Sequence, residues 1–290
     1  MCVIGVDIGG SHITAAAIDT ARQEIIYASR IRMRVNAAGD AKNILHVWSE
    51  AVRYAIHAAK GCQVLGIGIA MPGPFDYKQG ISHIRDLHKY DALYGMDIRQ
   101  RLSESLGLEP EKIIFENDAA CYLLGEVING AAKGSRNAIG LTLGTGLGSA
   151  FYKDGKLEEG TLYKAPFRDS IAEEFLSTRW FVRRYDELTG REVRDVKELV
   201  QQIRVDRTAQ LVIAEFGESL TEFIAPYLEE RKPDVLVIGG NIAHTWDLFI
   251  DPLIAYLQSS SLPTRVVKSV LGENANLLGA AGLVEMSRHE

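Results

Sequence analysis

Short apolar runs punctuate the chain, each bounded by glycine, proline or a polar cluster. Residues 2–8 are apolar except for Gly5 and one acid, Asp7, and the pattern resumes over 13–19 after Gly9-Gly10-Ser11-His12. Two such runs around a tight turn predict a β-hairpin. Residues 137–143 and 150–152 flank Gly144-Thr145-Gly146-Leu147-Gly148-Ser149 and predict a second. Laid over the first, Ile139-Gly140 falls on Ile4-Gly5, Thr142 on Asp7 and Gly144 on Gly9. A repeated hairpin predicts two related α/β halves facing each other across a cleft.

Between and after the hairpins the pattern alternates. Apolar runs at 63–70, 113–115, 233–238 and 262–269 predict buried strands, the first stopped by Met71-Pro72-Gly73-Pro74. Helical period appears over 40–60, through Ile44, Leu45, Val47, Trp48, Val52 and Ile56. Residues 97–106, 119–126, 170–188, 193–202, 208–228 and 274–286 also predict helices. Residues 87–95 form a polar-aromatic loop able to face a ligand, and 158–169 is loop-like. A third glycine turn, Gly239-Gly240-Asn241, is expected to enter a helix whose N-terminus would seat a nucleotide.

Composition narrows the class. A length of 290 residues suggests two domains, and 47% hydrophobic with 24% charged residues is an ordinary globular balance. The formal net charge of −6 argues against a nucleic-acid or anionic-membrane surface. Cys2, Cys62 and Cys121 show no CxxC spacing, so neither a disulfide framework nor a zinc site is expected. No apolar run reaches the roughly 20 residues of a membrane span. The first hairpin opens directly after Met1, so no signal peptide and no preceding DNA-binding domain are expected; a cytoplasmic setting fits.

The candidate chemistry centres on Asn117-Asp118, at the junction of the 113–115 strand and the 119–126 helix. Polar residues there often serve only as caps. A carboxylate set between two glycine turns suits a different role, a general base beside a nucleotide. Glycine lacks a Cβ, so backbone N–H groups of such turns can approach an anion. Both hairpin turns return into strands, unlike a dinucleotide fingerprint, which opens a helix. Asp7, placed in a buried strand, is costly unless it is used.

Six segments stand in an order that resembles the ROK family (repressors, open reading frames and kinases) of the actin-like sugar kinases. They are Gly5-Val6-Asp7-Ile8-Gly9-Gly10-Ser11, Met71-Pro72-Gly73-Pro74-Phe75-Asp76, Glu116-Asn117-Asp118-Ala119-Ala120, Leu141-Thr142-Leu143-Gly144-Thr145-Gly146-Leu147-Gly148, Ile238-Gly239-Gly240-Asn241-Ile242 and Leu277-Leu278-Gly279-Ala280-Ala281. The resemblance implies two actin-like (ribonuclease H-like) domains, 1–116 plus 275–290 and 117–274, with ATP and sugar in the cleft. It implies that Asp118 is the general base and that Asn117, Gly73 and Glu173 contact the sugar. Asp7, Gly9, Gly10, Ser11, Gly144, Thr145 and Gly146 would serve the phosphates, Asp7 lying near Mg²⁺, and Gly239-Gly240 would flank the adenosine. The implied activity is ATP-dependent phosphorylation of a hexose or hexose derivative, glucose by default, in a homodimer with no nucleic-acid or membrane partner. A non-catalytic sugar-binding or regulatory protein, and polyphosphate as donor, stay open as alternatives.

The chain departs from that family after the second hairpin. A Gly-Glu-x-Gly-His segment and a cysteine-rich zinc loop are usual there; here residues 158–167 contain neither histidine nor cysteine. A zinc-free loop is therefore expected, held by Pro166 and by packing of Leu162, Tyr163, Phe167 and Phe175. Of the remaining polar residues, His88 is expected in an exposed loop and Arg183-Arg184 on a solvated helix face. Glu116 is expected to end its strand, and His12 either meets a phosphate or merely occupies the turn.

Overall fold

A computed structural model describes residues 1–288. The first hairpin forms as β1 (Cys2–Ile8) and β2 (His12–Asp19), followed by the short β3 (Glu24–Ile25) and β4 (Ile31–Arg34). Helix α1 (Ala41–Ala58) starts where Asp40 accepts the Asn43 N–H, and it buries Ile44, Trp48 and Val52. Strand β5 (Val64–Met71) leads to a small ribbon, β6 (Phe75–Asp76) and β7 (Ile81–Ser82). Helix α2 (Ile98–Leu106) is capped by Asp97 and precedes β8 (Ile113–Asn117) and α3 (Asp118–Asn129).

The second hairpin is β9 (Asn137–Leu143) and β10 (Leu147–Lys153), continued by β11 (Lys156–Glu159), β12 (Pro166–Phe167) and β13 (Ser170–Ile171). Helices α4 (Thr178–Thr189), α5 (Val196–Gln201) and α6 (Arg207–Arg231) follow. Strand β14 (Val235–Gly239), α7 (Asp251–Ser260), β15 (Arg265–Lys268) and α8 (Asn274–Met286) complete the order.

The repeat read from the hairpins extends to whole sheets. One sheet runs β3-β2-β1-β5-β8, with β4 also pairing β2, and the other runs β11-β10-β9-β14-β15. In each, the first hairpin strand pairs in parallel with a later strand, and that strand with a third. This shared order makes the chain an α/β protein with two sheets of one topology. None of the described helices is long and apolar enough to cross a membrane.

Two compact units result: Met1–Lys133 with Glu273–Glu290, and Gly134–Gly272. The division after residue 116 expected from the sequence moves to the far end of α3. Helix α3 packs against α8, and α8 also lies on β1 and β5, so both helices stay with the first sheet. Contact is close because glycines stand where the elements meet: a methyl carbon added to Gly279 would lie 1.8 Å from the Cys121 carbonyl oxygen. The first unit has a core around Trp48, Tyr90 and the β1 isoleucines, and the second one around Phe181, Phe216 and Tyr185.

Three expected elements differ. The helix predicted over 170–188 forms only from Thr178, because the residues before it make β13 and a 3₁₀ turn, Ala172–Glu174. Residues 158–169 are not wholly loop, since β11 reaches Glu159 and β12 covers Pro166–Phe167. The 239–241 turn enters a 3₁₀ segment, Ile242–Leu248, rather than an α-helix. Asn241 gives it no side-chain cap, and Thr245 leaves helical geometry while its hydroxyl donates to the Ile242 carbonyl. The seat expected from a helix N-terminus is thereby lost, and any role of Gly239-Gly240 rests on the turn itself.

Candidate active site

In the first unit, strand register gathers the candidate residues at one edge. Asp7 lies opposite Ala70, Ala70 opposite Glu116, and Met71 opposite Asn117, all at the carboxyl ends of parallel strands. Ligands of open α/β sheets bind at such an edge because the loops leave from it. Asn117 caps α3, its Oδ1 accepting the N–H groups of Ala119 at 2.9 Å and Ala120 at 3.2 Å. Its amide also donates to the Tyr77 hydroxyl at 3.3 Å, and that hydroxyl donates to the Met71 carbonyl at 3.1 Å. A methyl carbon on Gly73 would lie 3.2 Å from the same hydroxyl. Tyr77 thus ties the 71–74 turn to Asn117, a link that no local pattern in the sequence signals.

Asp118 is the first residue of α3 and half-buried, with Oδ1 accepting the Ala119 N–H at 2.9 Å. Burial raises its carboxyl pKa above the usual range, against the opposing pull of the Ala119 amide and the Lys89 charge. A carboxylate raised toward neutrality is a better proton acceptor than an ordinary one, provided it stays ionised.

Asp7 accepts a hydrogen bond from Asn276 at 2.8 Å. Burial lifts its pKa to about 6; Asn276 and Arg32 oppose the rise, while Asp118 and Glu273 add to it. The carboxyl lines a cavity of about 230 Å³ with Gly9, Gly10, Ser11, Thr14 and Arg32. His12 shares a hydrogen bond with the Ser11 hydroxyl at 2.8 Å and also lines this cavity.

The position of Asp7 has a thermodynamic consequence. A folded-state pKa of about 6, against 3.8 for a free carboxyl, means that the folded protein holds the proton longer as pH rises. Stability from this group is therefore unaffected below pH 3.8 and falls as pH rises toward 6, by about 3 kcal/mol at most. Asp7→Asn is expected to raise the melting temperature at pH 7–8 and to converge on the wild type near pH 4. Thermal unfolding measured across that range checks this; identical curves at every pH would refute it.

The loop at 87–95 does not simply face a ligand. Tyr90 is fully buried, and its hydroxyl donates to the Gly9 carbonyl at 2.5 Å, while His88, as expected, is exposed. The loop therefore clamps the first glycine turn.

In the second unit, the 144–147 turn is braced from below. The Gly144 carbonyl accepts from the Thr178 N–H at 2.8 Å and its hydroxyl at 2.9 Å. Glu173 accepts the Leu147 N–H at 3.0 Å and an Arg179 N–H at 2.7 Å. Glu173 therefore braces the turn, and each of its oxygens, with one donor here, keeps a lone pair for the sugar contact expected from the sequence. Thr145 is exposed at the tip. Gly239 pairs with Thr142, and Gly240 has φ +83°, where a methyl carbon would lie 2.3 Å from the Leu143 carbonyl oxygen. Only glycine fits there, and it sets this turn against the hairpin.

The 158–175 segment is held by packing. Leu162 and Phe167 are buried, the Leu162 N–H donates to the Ser149 hydroxyl at 2.9 Å, and Phe167 meets Phe175 edge-on at 5.3 Å. Tyr163 and Pro166, expected to share this work, are exposed. Arg183 and Arg184 lie partly in solvent but pair with Glu174 and Glu215. Glu116 is half-buried and accepts the Asn117 N–H at 2.8 Å. Among the described residues, no group of three or more His, Cys, Asp or Glu side chains is arranged to hold a metal ion.

Residues 3–163 and 168–287 match the sequence pattern of the ROK family. The chain is 25% identical to the glucokinase of Thermotoga maritima over 98% of its own length and 97% of that protein. The ROK hexokinase of Thermus thermophilus has a similar fold, with a TM-score of 0.83 at 24% identity, covering 100% of this chain and 99% of that one. A ROK glucokinase from Streptomyces griseus, crystallised with glucose and AMPPNP, gives a TM-score of 0.74 at 23% identity, covering 98% and 99%.

Proposed function

The chain belongs to the ROK family, and from that premise we propose that it transfers the terminal phosphoryl group of ATP to a hydroxyl of a hexose or hexose derivative. Asp118 carries this reading: a carboxylate at the N-terminus of α3, on the same strand edge as the Gly9-Gly10 turn and Asp7, with its pKa raised. The Thermotoga relative is a glucokinase, and the Streptomyces structure holds a sugar with an ATP analogue, which supports both substrates.

In this mechanism Asp118 takes the proton of the sugar hydroxyl as that oxygen attacks the γ-phosphorus. The bond from phosphorus to the bridging oxygen breaks and ADP leaves. In the first unit Gly10 and Ser11 offer backbone N–H groups to phosphate, and in the second Thr145 and Gly146 do, while the Gly9 and Gly144 N–H groups donate to the His12 and Gly146 carbonyls and hold the shape of their turns. Gly239 and Gly240 border the nucleotide, and Asn117 and Gly73 border the sugar. Asp7, a carboxylate lining the cavity beside the Gly9-Gly10 turn, would face Mg²⁺ that arrives with the nucleotide. Magnesium bound in this way would neutralise phosphate charge. A homodimer without a nucleic-acid partner, in the cytoplasm, belongs to the same proposal.

The test is release of ADP from ATP and Mg²⁺ across a panel of glucose, mannose, N-acetylhexosamines and β-glucosides. Sugar-dependent release is expected. Release that ignores the sugar, or none with any member, would overturn the proposal; turnover with polyphosphate alone would overturn ATP as the donor.

A further inference from the structure

We propose that Lys89 is a further catalytic residue of this reaction, its ammonium group neutralising the migrating phosphoryl group between the Gly9-Gly10 turn and Asp118. The inference rests on the kinase reading above and adds a residue that no motif in the sequence marks.

Lys89 approaches the first glycine turn, its Cδ lying 4.0 Å from where a methyl carbon on Gly10 would stand. It is also near enough to Asp118 for its charge to act on that carboxyl. One side chain therefore touches the phosphate-binding turn and lies within charge range of the base. Lys89 is half-buried and, among the described residues, forms no ion pair with a carboxylate. Arg85, the other cation of the loop, pairs with Asp86 at 3.5 Å and lies over the Tyr94 ring at 5.3 Å. Arg32, beside Asp7, is held by Glu273 at 3.0 Å. Among the described residues, Lys89 stands at this edge without an ion pair of its own.

The loop is built to hold it there. Asp86, His88 and Tyr90 take left-handed backbone angles, φ 59°, 56° and 59°, although none is glycine. Such angles are uncommon for residues with a side chain, most of all for the bulky Tyr90, and persist where surrounding contacts impose them. The contacts come from Tyr90, which directly follows Lys89. Its N–H donates to the Ala37 carbonyl at 2.6 Å, its hydroxyl to the Gly9 carbonyl, and its ring meets Trp48 edge-on at 5.2 Å. These contacts fix the backbone from which Lys89 projects beside the phosphate turn.

The chemistry asks for such a group. Charge shifts among the phosphoryl oxygens during transfer, and backbone N–H groups supply dipoles but no formal charge. The segments that form this edge, 5–14, 70–77 and 116–118, contain neither lysine nor arginine.

Steady-state kinetics of Lys89→Met and Lys89→Arg decide the matter. Lys89→Met is expected to lower kcat about 100-fold or more while sugar KM changes less than about threefold. The charged groups near Asp118 are Lys89, Asp7 and Glu116, so loss of Lys89 should move the acid limb of kcat/KM to higher pH. Lys89→Arg should recover most of the lost rate. A Lys89→Met enzyme with near-normal kcat and an unmoved acid limb overturns the proposal. If that variant also loses thermal stability, the limb of its residual activity decides, and an unmoved limb again overturns it. A wild-type protein without sugar-dependent ADP release overturns the kinase reading itself, and this inference with it.

Discussion

Asp118→Asn is expected to lower kcat by about 10²- to 10⁴-fold, the usual contribution of a positioned general base. Asparagine keeps an oxygen where Asp118 Oδ1 accepts the Ala119 N–H, so the start of α3 should survive the change. ATP affinity should therefore remain nearly intact. Stability should shift in the opposite direction to activity. Burial raises the Asp118 pKa, so the ionised carboxylate costs the folded state stability once pH exceeds its unfolded value. The variant should thus melt at or above the wild-type temperature at pH 7–8. In the wild type, kcat/KM should fall with acidification at a pH above the ordinary carboxylate range, because only ionised Asp118 accepts a proton. A variant with near-normal rate would place the base elsewhere.

Gly279→Ala should have a large effect on the fold. The added methyl carbon would stand 1.8 Å from the Cys121 carbonyl oxygen, inside the contact between α8 and α3. The obstacle is backbone on a buried helix, which cannot turn aside as a flexible side chain would. Separating the two helices should cost about 3 kcal/mol or more, at the upper end for overpacked cores. Because Asp118 opens α3, activity should fall with stability. Gly144→Ala supplies the contrast, since nothing lies within 4 Å of its added carbon and its melting temperature should barely change. Thermal unfolding of the two variants side by side checks this, and equal melting temperatures would contradict it.

Much of the architecture was legible because it is local. The 40–60 helix was readable from apolar spacing, and its start lies where Asp40 caps it. Helix α8 matches the predicted 274–286 residue for residue, an Ala- and Leu-rich stretch with no competing turn signal. The hairpin repeat gave the two sheets, since glycine turns between β-branched runs specify antiparallel pairing from within a few residues.

What escaped was set by partners distant in sequence. Helix α4 begins eight residues late because Glu173 is drawn to the Leu147 amide and Arg179 rather than continuing a helix. Tyr90 looked like a ligand-facing aromatic but became core once its hydroxyl found the Gly9 carbonyl. The first domain boundary fell after α3 because α8, returning from the far end of the chain, packs there. The sequence by itself determined the strands, the glycine turns and the Asn117-Asp118 junction, since each depends on side-chain pattern and backbone permission over a few residues. Only the tertiary structure decided how these polar groups are placed: Glu173 braces the 144–147 turn inside its own unit, whereas Lys89, unremarkable in the sequence, stands within charge range of Asp118 and, among the described residues, forms no ion pair. The physical reason is that the partners of a charge are set by contacts between segments distant in sequence, which no local pattern encodes.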